Sequence, residues 1–150
     1  MKIAAGADST PHITEVIVAY LKEKGVEVQL CGALAGKSAD YVDAALEVAE
    51  AVSSGACEQG LLFCNTGTGV TIIANKVPGV RAAPCPDAHT ARIARLANNA
   101  NLLVLGMRLT GEMAAKEIVD AWLATAPSDE PRRMNFHRKT EEIDRRFRKG

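Results

Sequence analysis

One stretch gathers the reactive groups of this 150-residue chain: Cys64-Asn65-Thr66-Gly67-Thr68-Gly69, a thiol, a hydroxyl and a Gly-rich turn in succession. An apolar run at 61–64 leads into it, and a helix-like pattern at 70–75 leads out. Backbone N–H groups in a turn of this kind converge on an anion seated above them. The same field favours the thiolate of Cys64 over its thiol. Gly67-Thr68-Gly69 lacks the third glycine of a dinucleotide fingerprint, which disfavours a nicotinamide cofactor. No G-x-x-x-x-G-K-[ST] occurs in the chain, which excludes a P-loop. Position alone leaves two readings of Cys64: an activated thiolate beside an anion cradle, or a small buried hydrophobe.

Such a turn needs a scaffold. Short apolar runs at 3–6, 26–30, 61–64, 80–84 and 102–106, bounded by Gly or Pro, predict five buried strands. The stretch 13–24 aligns Ile13, Val16, Ile17, Tyr20 and Leu21 at helical spacing and stops at Gly25. The stretch 41–54 aligns Val42, Ala45, Leu46, Ala49 and Val52 and stops at Gly55. Further helices are predicted over 88–98 and 112–125, and a charged one over 140–148. Between the last two, 126–133 (APSDEPRR) reads as the break that releases the tail from the body. Strand–helix alternation predicts an α/β fold, a Rossmann-like three-layer sandwich around a five-stranded, mainly parallel sheet. Right-handed crossovers gather the strand C-termini along one edge, where a ligand site belongs. Besides the Cys64 turn, that edge carries Gly6-Ala7-Asp8-Ser9, Cys31-Gly32, Cys85-Pro86-Asp87 and Gly106-Met107-Arg108.

Eighteen Lys and Arg balance eighteen Asp and Glu, and a net charge of zero argues against a nucleic-acid partner and against a disordered acidic chain. The balance is uneven. Residues 131–150 hold eight basic side chains (Arg132, Arg133, Arg138, Lys139, Arg145, Arg146, Arg148, Lys149) and three acidic ones, an excess of five that residues 1–130 offset. Such a tail is a solvated helix face by default, and on a sharper reading an anion-capturing arm in a neighbouring subunit's site. Cys31, Cys57, Cys64 and Cys85 form neither a C-x-x-C pair nor a secreted framework. With no apolar leader and no run of membrane-span length, the expectation is one cytoplasmic domain over 1–150, with 126–150 as a basic C-terminal extension and no membrane partner. His12 follows Pro11 at a helix start and is a candidate for sensing an anion through the helix N-terminus. His89 either faces the site or lies on the first turn of its helix. Cys85 and His89 stand four apart, but two ligands make weak evidence for a metal, and none is expected.

Residues 61–78, LLFCNTGTGVTIIANKVP, followed by GVRAA, resemble the ribose-5-phosphate isomerase B family, which includes the LacA and LacB galactose-6-phosphate isomerase subunits. Its signature is a cysteine, a T-G-x-G turn and a helix containing A-N-K, with P-G-[IV]-R-A next. The opening KIAAGAD resembles K-I-A-x-G-x-D, and Asp40-Tyr41-Val42-Asp43 resembles D-Y-P-D. Thr90-Ala91-Arg92 with Asn98 and Asn101 resembles the fourth helix and its turn, and Leu105-Gly106-Met107-Arg108 through Gly111 resembles L-G-x-R-x-x-G. The likeness spans residues 1 to about 125.

The resemblance implies cofactor-free aldose–ketose isomerisation of a small phosphorylated sugar through a cis-enediolate. It implies a homodimer or a dimer of dimers, with the basic tail or its loop reaching across. Cys64 matches the base, and Thr66 the hydroxyl that assists proton movement between the two oxygens. Asp8 and Tyr41 match residues along the sugar chain, Arg108 and Asn98 match polar groups around phosphate and enediolate, and the amides of Gly67, Thr68 and Gly69 form the cradle.

Two departures bear on the substrate. The family's D-H reads Asp8-Ser9, so Ser9 stands at the binding position where the resemblance implies a phosphate-contacting His. The family's R-x-H-N-D-x-N reads Arg95-Leu96-Ala97-Asn98-Asn99-Ala100-Asn101, so Ala97 replaces the His implied to open the sugar ring. The C-terminal G-R-H-x-x-R-V is not intact either, and Arg132, Arg133 and Arg138 are the nearby candidates for phosphate. A tetrose 4-phosphate cannot close a furanose, because its O4 is esterified. An enzyme for erythrose 4-phosphate or erythrulose 4-phosphate therefore has no need of a ring-opening imidazole. The other expected substrate pair is ribose 5-phosphate and ribulose 5-phosphate. The other class of function is a non-catalytic phosphosugar-binding subunit of a heteromeric isomerase.

Overall fold

In a computed structural model of the chain, which describes residues 1–148, five strands form one sheet in the order β2-β1-β3-β5-β4. Lys149 of the basic tail lies outside the described residues. The strands are β1 (Lys2–Ala7), β2 (Glu27–Gly32), β3 (Gln59–Cys64), β4 (Ala82–Pro84) and β5 (Leu102–Gly106). Every pairing is parallel, so the expected mainly parallel sheet is wholly so. The helices are α1 (His12–Glu23), α2 (Tyr41–Ser53), α3 (Thr68–Ala74), α4 (Ala88–Asn98), α5 (Glu112–Leu123) and α6 (Pro131–Phe147). A short 3-10 turn at Ala33–Ala35, which periodicity did not predict, follows β2.

Alternation along the strands makes the three layers. Ile3, Ala5 and Ala7 of β1, Leu61 and Phe63 of β3, and Leu103 and Leu105 of β5 share one face, packed on α1, α4 and α5 through Ile17, Ala91, Ile118 and Trp122. Ala4, Leu62, Leu102 and Val104 share the other, packed on Ala45, Val48 and Val52 of α2 and Val70 of α3. Burying both faces is why the strands read as unbroken apolar runs. Buried Gln59 is satisfied: Trp122 Nε1 donates to its Oε1 at 2.8 Å.

Four expectations need correction. The buried face of α2 is turned: Ala44, Val48 and Ala51 are inside, while Val42 and Leu46 are 37% and 39% exposed. Alanines let this helix lie close to the sheet, so the small stripe goes inward. The helix after the turn starts at Thr68 rather than 70, because Gly67 at φ 91° swings the chain straight into it. The tail helix starts at Pro131, well before 140. Proline at the first helical position has no N–H to satisfy and a preset φ, and the Arg- and Glu-rich run carries the helix onward. Nor is the tail released. His137 Nε2 lies 3.0 Å from the Ala97 carbonyl oxygen, and Asp144 accepts from the Gly79 N–H at 2.7 Å. No residue of α6 is buried, as a solvated helix requires.

Candidate active site

The chain leaves β1 for β2 on one side, while β3 lies on the other, so the loops after β1 and β3 part at the C-terminal edge. A strand-order reversal of this kind opens a crevice. Gly6 pairs with Leu62, which brings Asp8 and Cys64, two residues further on, level at its two lips.

Cys64 is half-buried and pairs with Gly106 of β5. Its carbonyl accepts from the Met107 N–H at 2.7 Å, and that of Asn65 accepts from the Arg108 N–H at 3.0 Å. The loop after β5 is thereby laced to the cysteine loop, and Arg108 arrives at the same rim. The approach at Gly106 is close: a β-carbon there would lie 3.0 Å from the Thr66 carbonyl oxygen, so the cysteine loop would have to give way. Asp40 caps α2 by accepting from the Asp43 N–H at 2.8 Å, which sets Tyr41 at the helix start. The Tyr41 ring then lies against Gly69, where an added β-carbon would be 2.9 Å from Cε2. Thr66 and Thr68 are exposed, with their hydroxyl oxygens 3.0 Å apart.

The structure thus brings Tyr41, Cys64, Thr66, Gly67, Thr68, Gly69 and Arg108 to one rim, with exposed Asp8 and Ser9 across the crevice. A cleft of about 290 Å³ runs past Thr66, bordered by Cys85, Gly106, Leu109 and Thr110. Sequence reasoning missed Leu109 and Thr110. The signal was available, because both fall inside the L-G-x-R-x-x-G stretch.

The thiols separate by burial. Burial pushes the Cys85 thiol up to about 12 and the Cys31 thiol up to about 11, and it raises that of Cys57. Cys64 is the one cysteine of the four that is not buried.

Other candidates stand elsewhere. Asn98 ends α4 on the side of the sheet's N-terminal edge, where the chain turns into β5, and Cys64 lies level with the other end of that strand. Asn98 lines a groove with Arg132, Arg133 and Phe136 of the tail. Arg132 stacks on Phe136 at 5.6 Å, Arg133 meets Glu130 at 3.8 Å, and Arg138 is bonded to Asn135 and faces Glu142. His12 is paired with carboxylates, Glu15 at 3.7 Å and Glu112 at 3.5 Å. His89 is exposed on the first turn of α4, whose N-cap Asp87 accepts from the Thr90 N–H at 2.7 Å. Among the described residues no three His, Cys, Asp or Glu side chains are grouped to hold a metal ion, and no helix is long and apolar enough to cross a membrane.

Several signature residues prove to be scaffold. The Asn75 side chain acts as a strand neighbour for β4, donating to the Ala82 carbonyl at 3.0 Å and accepting from the Ala82 N–H at 2.8 Å. Arg81 Nε donates to the Asn99 carbonyl at 2.6 Å, while Asn101 Oδ1 accepts from the Arg81 N–H at 2.8 Å. These bonds hold the entrance to β4 and explain why that strand begins at Ala82 rather than 80.

A family model described as Ribose/Galactose Isomerase matches residues 3–141. The chain is 42% identical over 125 residues to the D-erythrulose-4-phosphate isomerase of Pectobacterium atrosepticum, covering 82% of each. It is 44% identical over 123 residues to ribose-5-phosphate isomerase B of Escherichia coli, covering 81% of this chain and 83% of the other. The structure of ribose-5-phosphate isomerase B of Clostridium thermocellum superposes with a TM-score of 0.90 and 42% identity, covering 99% of this chain and 100% of that one. Likeness of this extent in both sequence and fold makes the chain a member of the ribose/galactose isomerase family, and with it a sugar-phosphate isomerase.

Proposed function

We propose that the chain interconverts a tetrose 4-phosphate aldose and its ketose, erythrose 4-phosphate and erythrulose 4-phosphate, with Cys64 as the base. The observation that carries the reading is the half-buried Cys64 thiol, level with Asp8 and followed by the Thr66 hydroxyl and the glycine turn. The thiolate takes the proton from C2, and the amides of Gly67, Thr68 and Gly69 receive the oxyanion that develops. Thr66 carries a proton from O2 to O1, and the sulfur returns its proton to C1. Asp8, Ser9 and Tyr41 hold the hydroxyls of the chain, and Arg108 the phosphate. No metal or cofactor has a part in this scheme.

The tetrose reading rests on Ala97, since an open-chain substrate has no ring to open. The identity to a D-erythrulose-4-phosphate isomerase supports it. A comparable identity to ribose-5-phosphate isomerase B makes ribose 5-phosphate the second reading. Asn98 and the tail arginines serve a site at the opposite edge only from a second copy of the chain, so the working form is a homodimer or a dimer of dimers in the cytoplasm.

Cys64→Ala should fold normally and lose deuterium exchange between substrate and solvent by about 10²-fold or more. Unchanged exchange would remove Cys64 from the mechanism. A panel of erythrose 4-phosphate, ribose 5-phosphate and galactose 6-phosphate tests the substrate, and a ribose preference well above the tetrose overturns the ring-opening argument. Binding across the panel without any turnover would favour the non-catalytic subunit.

A further inference from the structure

Thr68 occupies the x of T-G-x-G, a position the family signature leaves free. Its hydroxyl oxygen is 3.0 Å from Thr66 Oγ1, and its backbone N–H points to the same oxygen at 3.5 Å. Two groups of one residue thus converge on the hydroxyl that the proposed mechanism uses. Gly67, between them, supplies the left-handed bend that folds Thr68 back over Thr66.

The direction of the hydroxyl bond matters. A threonine hydroxyl has one proton and two lone pairs. A relay between two substrate oxygens needs the proton and one lone pair free: the Thr66 Oγ–H bond breaks as O1 is protonated, and a new one forms with the proton that leaves O2. Thr66 ends unchanged, while the C2 proton travels separately through Cys64 to C1. Donation from Thr66 to Thr68 would turn the proton away from the substrate. Donation from the Thr68 hydroxyl fills one lone pair, and the long 3.5 Å contact of the Thr68 N–H yields the other to the substrate as that amide takes up the oxyanion.

We propose that Thr68 is a positioning residue, whose hydroxyl donates to Thr66 Oγ1 and holds the Thr66 proton toward the substrate. This rests on the reading of Thr66 as the relay. It also gives a hydroxyl at this position a purpose that helix formation does not require, because valine would extend α3 as well as threonine does.

Four variants test it: Thr68→Val, Thr68→Ser, Thr66→Val and the double Thr66→Val/Thr68→Val. Each is checked for native circular dichroism and assayed with the best substrate of the sugar panel. Thr68→Val should lower kcat about tenfold with KM within about twofold, the signature of an interaction made in the transition state. Thr68→Ser should recover kcat to within about threefold, and the double variant should be no slower than Thr66→Val alone. An unchanged kcat in Thr68→Val, no recovery with serine, or losses that multiply in the double variant would each overturn the proposal. If Thr66→Val itself matches the wild type, the relay fails and the proposal falls with it. An impaired Thr66→Val beside an unimpaired Thr68→Val refutes Thr68 alone.

Discussion

A thiol serves as a base only where substrate can reach it, and the four cysteines divide on that point. Cys31, Cys57 and Cys85 are 0%, 1% and 2% exposed, and burial disfavours their thiolates. At pH 8 iodoacetamide should therefore modify Cys64 first, with parallel loss of turnover, and the other three only after denaturant is added. Equal labelling of all four in the native protein, read by peptide mass spectrometry, would contradict the division. The same burial makes stability pH-dependent. A thiol raised in the folded state from 9.0 to about 11 or 12 ionises first in the unfolded chain. Stability is then fully present below pH 9 and is lost as pH climbs toward 11 and 12. The urea midpoint should fall between pH 9 and pH 10.5, and Cys85→Ala should fall less steeply over that interval; parallel curves would count against Cys85 as a source. The place of Cys64 at a strand end before the glycine turn was legible in the sequence. The nearness of Cys85 to Thr66 was not, because it depends on β5 lying between β3 and β4, an order that no local pattern encodes.

At the scale of elements, strands and body helices were legible because each buries a repeating apolar face, but what holds the elements to one another was not. Asn75 is the example: in sequence it is one letter of A-N-K, while in the fold it replaces a missing strand neighbour along the edge strand β4. Asn75→Ala removes both bonds and should cost about 1–3 kcal/mol in urea unfolding. A loss below about 0.5 kcal/mol would mean that water replaces the side chain along the strand. Gly69 makes the opposite case. Its φ is not in the left-handed region, and alanine inside a helix is favoured by roughly 0.5–1 kcal/mol. The Tyr41 ring, 2.9 Å from the added β-carbon, is what must move. Gly69→Ala should thus keep or gain stability while KM rises several-fold, about fivefold, because an ordering contact to substrate is lost in ground and transition state alike. Tyr41→Ala placed in that background should add little to KM; a full second loss would show that the ring had not been displaced. The misjudged start of α6 has a similar cause. Pro131 reads as a break in a local scan, yet a helix accepts proline at its first position.

Across the whole molecule, the zero net charge conceals a division of labour between two ends of one sheet. The thiol and glycine turn lie at the C-terminal edge, while Asn98 and the first tail arginines lie at the other, with Phe136, Ile143 and Phe147 of α6 46%, 58% and 70% exposed. A basic helix with an uncovered apolar stripe is poorly explained by one chain in isolation. It is well explained if the second copy sets its far edge over the first copy's thiol. Light scattering should then give at least twice the 15.9 kDa chain mass. Subunit mixing makes the stronger test, because a dimer that forms elsewhere on the surface would give the same mass. Cys64→Ala and the triple variant Asn98→Ala/Arg132→Ala/Arg133→Ala should each be nearly inactive alone. In a randomly exchanged mixture half the dimers are hybrids, and each hybrid has one site carrying both defects and one carrying neither. Activity should return to about a quarter of the wild-type value per site. If every site is built within one chain, each hybrid still holds one Cys64→Ala site and one triple-variant site, and mixing restores nothing.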